Sequence, residues 1–284
     1  MFIAHDPVRL LVAACLALVG ARAAAAADDV SRWEGDARSS ARLIAGSQPV
    51  AGTPPLRAGI EIKLKPGWHT YWRYPGDAGV PPQFDFKASQ NVKQVEVLWP
   101  APERLAEVGG LTVIGYAHDV ILPLRIVPQD RAKPVVLRVK LDYAVCEKLC
   151  VPAEAKSELA LRGGPASQDA ALAAAEARVP RKVKLGEDGA LSIRSVRRED
   201  GPDRPRVWVD VAAPMGTMVD LLAEGPTPQW SLPLPTPVDG APEGLQRFVF
   251  ELDGMPAGAK AIGATLTLTA VTPKGAIEVA TRLD

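Results

Sequence analysis

The sequence predicts an all-β protein, in which an immunoglobulin-like β-sandwich is followed by a second, smaller β-sandwich-like domain. The 27 prolines and 24 glycines supply many turns, and helix-favouring runs are few. Short apolar or alternating stretches recur with turn residues between them, which is typical of a sandwich. The apolar content of 47% is sufficient for packed cores and argues against a disordered chain.

The predicted strands of the first domain lie between residues 41 and 161. Residues 58–65 alternate apolar and charged side chains, which is the period of a half-buried strand. The aromatic stretch 68–74 follows, and residues 75–82 are predicted to be a loop because their prolines and glycines exclude regular pairing. Strands do not alternate with helices, so a thioredoxin fold is not expected. Further strands are predicted at 41–47, 92–99, 120–127, 135–143 and 155–161.

We divide the chain into a signal peptide (1–27), a first domain (28–165), a linker helix (166–182) and a second domain (183–284). The linker is rich in alanine, and Ser167 is a candidate cap for its helix. The second domain contains no cysteine or histidine, which favours a structural or docking role. Its strands are predicted at 191–196, 207–211, 246–252, 265–271 and 276–283, and its core is predicted to include Trp208 and Trp230.

The first 27 residues have the features of a cleaved export signal. Arg9 precedes an apolar run, 10–20, and small residues then allow cleavage after Ala23 or Ala27. The run is too short for a transmembrane helix, and no later stretch reaches membrane length. We therefore expect an exported, periplasmic protein that does not itself span the membrane.

The charge balance argues against two classes of partner. Without the signal peptide, 31 basic and 32 acidic residues remain, and no basic patch stands out. Nucleic acid and anionic membranes are therefore not expected to bind. Cys15 leaves with the signal, so the mature protein keeps two cysteines, Cys146 and Cys150, in an oxidising compartment.

Cys146 and Cys150 lie between two predicted strands, so the tip of a hairpin can place their sulfurs side by side. If the pair forms a structural disulfide, closing so short a loop adds only about 2 kcal/mol of folding stability in the chain-entropy model. A sandwich of this size does not need such a bridge. The pair is also open to exchange with other thiols, where Lys148 would favour a thiolate and Glu147 would oppose it.

A third alternative is metal binding. Two thiolates and the His69 imidazole suit Cu(I), whereas zinc would need a further ligand that the sequence does not supply. The Cys-x3-Cys spacing differs from the Cys-x-x-Cys of a thioredoxin helix, so no helix N-terminus is implied to lower a thiol pKa. The residues themselves therefore leave structural, redox and Cu(I)-binding roles open.

Three motifs point to a family. They are residues 65–73 with the Pro-Gly-Asp loop that follows, residues 115–124, and residues 142–154, which contain both cysteines. In this order and spacing, residues 40–162 resemble the N-terminal periplasmic domain of the DsbD/ScsB thiol:disulfide interchange proteins. The resemblance implies an immunoglobulin-like domain that takes electrons from a membrane partner and reduces periplasmic oxidoreductases.

The resemblance also implies roles for individual residues. It places the aromatic stretch beside the cysteines, so His69 and Tyr71 are expected near the sulfurs, and His69 is positioned to exchange a proton. We expect Cys150 to be the sulfur that joins the partner and Cys146 to be the resolving thiol. A movable cap loop matches residues 104–115, with its tip at Val108, Gly109, Gly110 and Leu111.

Two differences from the family shape the expected partners. The cysteines are closer together than in DsbD, and the sequence ends at Asp284 without a multi-helix transporter or a C-terminal thioredoxin domain. We therefore expect a separate membrane thiol transporter of the CcdA/DsbD type and thioredoxin-like oxidoreductases as partners, with no organic cofactor. Cytochrome c maturation and copper tolerance are the expected processes. The alternative is a Cu(I)-binding or structural module in copper or envelope stress handling.

Overall fold

The structure, a computed structural model, describes residues 29–48, 55–106, 110–201 and 204–284. These residues are nearly all β, with 53% strand and 4% helix, as the sequence predicts. The predicted signal peptide lies outside the described residues. Among the residues that are described, no helix is long and apolar enough to cross a membrane.

Two sheets form the first sandwich. The first has the order β1-β2-β3-β9-β6, and the second has the order β11-β10-β4-β8-β7, with β5 also paired to β10. The strands are β1 (Glu34–Gly35), β2 (Ser39–Ala45), β3 (Leu56–Leu64), β4 (His69–Gly76), β5 (Gln83–Asp85), β6 (Val92–Val97), β7 (Glu103–Ala106), β8 (Thr112–Tyr116), β9 (Val120–Pro128), β10 (Val135–Cys146) and β11 (Cys150–Leu161).

The core of this sandwich follows from alternation along the strands. In β3, Ala58, Ile60 and Ile62 are buried while Lys63 is exposed, which confirms the predicted half-buried strand. Trp72 of β4 is also fully buried in this core. Alternate side chains of the aromatic stretch therefore pack into the core. The side chains between them lie on the opposite face of the second sheet.

A second sandwich follows a short helix. Its sheets have the orders β12-β19-β18-β15 and β13-β14-β17-β16, and their facing side chains form one apolar core. The elements are α1 (Asp169–Ala177), β12 (Arg181–Val183), β13 (Ser192–Glu199), β14 (Arg206–Ala212), β15 (Asp220–Glu224), β16 (Thr236–Val238), β17 (Leu245–Glu251), β18 (Thr265–Thr272) and β19 (Gly275–Arg282).

Three predictions for this half need correction or refinement. Trp230 is buried in the core as predicted, but Trp208 is only half-buried because it lies on the outer side of β14. Ser167 does not cap α1, since the helix begins after Gln168 without a side-chain cap and the Ser167 hydroxyl donates to Asp29 instead. The helix is docked on the first sandwich, where Leu172 is fully buried.

Candidate functional site

The two cysteines are cross-strand neighbours in one long hairpin. β10 and β11 pair without interruption from Val135 opposite Leu161 to Cys146 opposite Cys150. A pair directly opposite in an antiparallel ladder has its side chains close together on one face. The Cα atoms of the cysteines are 4.1 Å apart and the sulfurs form a disulfide.

The two halves of the disulfide differ in exposure. Cys146 is 1% exposed, whereas Cys150 is exposed at the start of β11. The difference follows from strand order, since β10 lies inside the second sheet and β11 is its edge strand. A nucleophile from solvent or from a partner therefore reaches Cys150 before Cys146.

Tyr71 contacts both sulfurs. Its hydroxyl oxygen is 2.7 Å from Cys146 Sγ and 3.1 Å from Cys150 Sγ. Disulfide sulfurs carry no hydrogen, so the tyrosine O–H is the donor in both contacts. The side chain is 1% exposed, and the β4–β10 ladder, which pairs Thr70 with Val145, fixes its position beside the hairpin tip.

The ring of Tyr71 is held by the loop that follows β4. Gly79 has a φ of 109°, and a Cβ at this position would lie 2.3 Å from Cε1 of the Tyr71 ring. Only glycine fits such a close approach at this backbone angle. Asp77, two residues before Gly79, ties this loop to Thr112 by two hydrogen bonds. The Asp77 amide donates to the Thr112 carbonyl at 3.0 Å, and the Asp77 carboxylate accepts from the Thr112 amide at 2.9 Å.

His69 lies directly opposite Cys146 in the β4–β10 ladder. Its imidazole is half-buried and meets the Tyr71 ring edge-on, with the ring centroids 5.5 Å apart. The structure therefore places His69 and Tyr71 next to each other and next to the cysteines. Their chemical roles stay predictions.

An apolar wall surrounds the buried sulfur. Val113 and Ala144 are buried in one cluster with Tyr71 and Cys146, and the partly buried Leu105 packs against it. None of Gly79, Leu105, Val113 and Ala144 was predicted as a site residue. The sequence offers no direct signal for them, because their importance comes from contacts that only the folded sheet creates.

The predicted cap loop, 104–115, overlaps two strands. β7 covers its first residues and β8 covers its last, and the capping role of the segment between them stays a prediction. Val108 and Gly109 lie outside the described residues. Gly110 has a φ of 81°, and the Leu111 side chain is 45% exposed.

In the described part of the chain, no group of three or more His, Cys, Asp or Glu side chains is arranged to hold a metal ion. In the oxidised pair, Cys146 and Cys150 are bonded to each other. The predicted Cu(I) set of these cysteines with His69 therefore needs the disulfide to be reduced first, because thiolates are the ligands.

Comparisons with known proteins agree with this geometry. Residues 43–162 match the family described as "Thiol:disulfide interchange protein DsbD, N-terminal". The crystal structure of the N-terminal periplasmic domain of ScsB from Proteus mirabilis superimposes with a TM-score of 0.66 and 20% sequence identity, covering 90% of this chain and 98% of that chain. Among curated proteins, none is significantly similar. The predicted family resemblance is confirmed, and the ScsB likeness shows a shared fold.

We predict that Gly79→Ala displaces the Tyr71 ring, because the added methyl group has no room beside it. Overpacking of this kind costs about 1–3 kcal/mol of folding free energy. The matched control is Gly216→Ala, since Gly216 also has a positive φ of 74° but an added Cβ there would meet nothing within 4 Å. Thermal unfolding and near-ultraviolet circular dichroism compare the two variants. Equal losses of stability and an unchanged tyrosine signal would contradict the prediction.

Proposed function

We propose that the protein carries out thiol–disulfide interchange through Cys146 and Cys150, because residues 43–162 match the model of the DsbD N-terminal family. One observation supports this function beyond the family match. An exposed cysteine is bonded to a buried one, and a tyrosine hydroxyl lies within hydrogen-bonding distance of both sulfurs. That arrangement provides an accessible sulfur for attack and a polar group for the sulfur that leaves.

In the first step, a partner thiolate attacks Cys150 Sγ along the axis of the disulfide. The bond between the two cysteines breaks, and Cys146 Sγ leaves with the electron pair. Cys150 is then joined to the partner in a mixed disulfide. Because the Tyr71 hydroxyl is 2.7 Å from Cys146 Sγ, it donates a hydrogen bond to the departing thiolate, where a charge-assisted bond is stronger than one to a neutral sulfur.

In the second step, the partner's second thiol attacks the partner sulfur that is bonded to Cys150. A disulfide forms within the partner, and Cys150 is released. Two electrons and two protons have then passed to this protein, and the partner is left as a disulfide. Delivery to the next protein is the reverse sequence, in which Cys150 attacks the acceptor disulfide and Cys146 resolves the intermediate. The exchange needs no organic cofactor, and the half-buried His69 is positioned to take or return a proton.

The proposed partners follow from the family. Electrons come from a membrane thiol transporter of the CcdA/DsbD type and go to thioredoxin-like oxidoreductases in the periplasm. Acceptors that serve cytochrome c maturation or copper tolerance are the ones we expect. The proposed location agrees with the predicted export signal, and the even number of cysteines in the mature sequence suits an oxidising compartment.

A purely structural role for the disulfide is less well supported. The hairpin is already held by a continuous ladder along β10 and β11, so the bridge has little left to fix. Closing so short a loop contributes about 2 kcal/mol in the chain-entropy model. In addition, the exposed Cys150 leaves the bond open to attack by other thiols, which is a poor property for a structural bridge.

The reduction potential of the Cys146–Cys150 pair distinguishes these roles. Equilibration of the purified protein in defined thiol buffers is expected to give roughly −200 to −230 mV, the range of exchange catalysts such as glutaredoxins. A value below about −300 mV is typical of a structural disulfide and would exclude the proposed exchange.

Single cysteine variants test which sulfur joins the partner. Cys146→Ser leaves the exposed Cys150 without its resolving thiol, so mixed disulfides with a thioredoxin-like partner are expected to accumulate. Cys150→Ser is the matched control, because its remaining thiol is buried. Mass spectrometry of the trapped complexes measures the yield. Equal yields from the two variants would contradict the assignment of Cys150. A higher yield from Cys150→Ser would show that Cys146 is the sulfur that joins the partner.

Tyr71→Phe tests the hydrogen bond to the leaving sulfur. The change keeps the packed ring but removes the hydroxyl, and loss of one hydrogen bond to a charged group slows the exchange by about tenfold or more. Tyr143→Phe is the control, since the Tyr143 hydroxyl bonds to Ser39 Oγ at 2.9 Å within the same sandwich. Stopped-flow reduction by a dithiol gives both rates. Similar rates in the two variants would remove Tyr71 from the mechanism.

A further inference from the structure

One face of a short strand in the second sandwich is turned toward the first sandwich. Along β15, Leu221 and Ala223 point into their own core, so Asp220, Leu222 and Glu224 lie on the other face. Leu222 is 1% exposed and is buried within the core of the first sandwich. β15 therefore presents an apolar residue flanked by two carboxylates to its neighbour.

Asp220 binds Arg104, which lies in β7 of the first sandwich. The Arg104 guanidinium donates to an Asp220 carboxylate oxygen, to the Leu221 carbonyl at 2.7 Å and to the Pro235 carbonyl at 3.0 Å. Burial raises the pKa of Asp220, and the charge of Arg104 opposes that rise. β7 has only four residues and is an edge strand, so these three bonds add substantially to its own ladder.

Glu224 binds Arg73, which lies two residues beyond Tyr71 in β4. Its carboxylate accepts from Arg73 at 2.7 and 3.0 Å, and Glu278 of β19 accepts at 2.5 Å. Burial alone would lower the pKa of Arg73, but the two carboxylates outweigh it and raise the pKa, so the cation is retained. The β4–β8 register is irregular between Tyr71 and Gly76, and the bonds of Arg73 lie within this stretch.

Arg104 is adjacent to a residue of the disulfide site. Leu105 follows it in β7, pairs with Val113 of β8, and packs against the cluster that contains Tyr71 and Cys146. We propose that the bonds from β15 fix Arg104 and thereby hold Leu105 against the cluster that contains the buried Cys146, which makes Arg104 a positioning residue for the site. This goes beyond the proposed function by giving the second sandwich a task, and it rests on that function only for its effect on exchange.

Breaking the contact between Arg104 and β15 has a direct physical consequence. When Arg104 loses its bonds to β15, the four-residue edge strand opens more often and Leu105 leaves the sulfur cluster with it. Small thiols then reach Cys146 as well, which adds a second point of attack to the one that the exposed Cys150 already offers. Reduction of the disulfide by a dithiol becomes faster, although no residue that touches the sulfurs has been changed.

The test uses the full chain with dithiothreitol as the reductant. Dithiothreitol passes two electrons and two protons to Cys146 and Cys150 and becomes a cyclic disulfide, so no biological partner is needed. Arg104→Gln is expected to be reduced about threefold faster or more, because opening of the edge strand adds attack at Cys146 to attack at the exposed Cys150. The matched control is Arg206→Gln, which breaks an exposed ion pair with Glu251 inside the second sandwich and should leave the rate unchanged.

A double-mutant cycle shows whether Arg104 acts through Leu105. Leu105→Ala alone should also accelerate reduction. Adding Arg104→Gln to it should then give little further change, because the Leu105 side chain that packs against the cluster is already absent. The proposal would be overturned if the fold increases in reduction rate of the two single variants multiplied in the double variant. So would a wild-type rate in Arg104→Gln with a native near-ultraviolet spectrum.

Asp220→Asn weakens the same contact from the second sandwich. It provides an independent test if Arg104→Gln does not fold. It should accelerate reduction in the same direction. Loss of the native near-ultraviolet spectrum in both variants would show that the contact is needed for folding itself and would overturn the positioning role. The proposed function is judged separately by the reduction potential of the unaltered protein, so failure of one proposal does not count against the other.

Discussion

The antiparallel register of β10 and β11 is the constraint on which the site depends. It places Cys146 opposite Cys150, and a slip of one residue would turn one of the sulfurs to the other face of the sheet. The same register makes the cysteines unequal, because β10 is an interior strand and β11 is an edge strand. The exposure of Cys150 and the burial of Cys146 therefore follow from the order of the strands in the sheet.

Tyr71 connects this geometry to the proposed chemistry. Both cysteines lie on strands, so in the proposed exchange the thiolate is supported by a hydroxyl from the neighbouring strand rather than by a helix N-terminus. That hydroxyl works inside an apolar pocket, where a hydrogen bond to a charge is stronger than in water. Gly79 packs against the Tyr71 ring from the loop after β4, and Leu105 packs against the same cluster from β7.

Much of this arrangement could be predicted from the sequence, and the failures have a common cause. The hairpin, the buried alternation of β3 and the closeness of His69 and Tyr71 to the sulfurs were predictable from period and resemblance. β7, β8 and β15 were missed because strands of four or five residues look like loops until a neighbouring strand pairs with them. Gly79 and Leu105 were missed because their contacts come from chain segments that meet only after folding.

The missed strand β15 gives a reason for a second sandwich whose sequence contains no cysteine or histidine. As an edge strand, β15 would present unpaired backbone and invite association with other chains. Its carboxylates instead bind Arg73 and Arg104, and Leu222 enters the neighbouring core. The contact that protects this edge is thus the contact that supports β4 and β7 beside the disulfide, so the stability of one sandwich and the precision of the site in the other depend on the same few side chains.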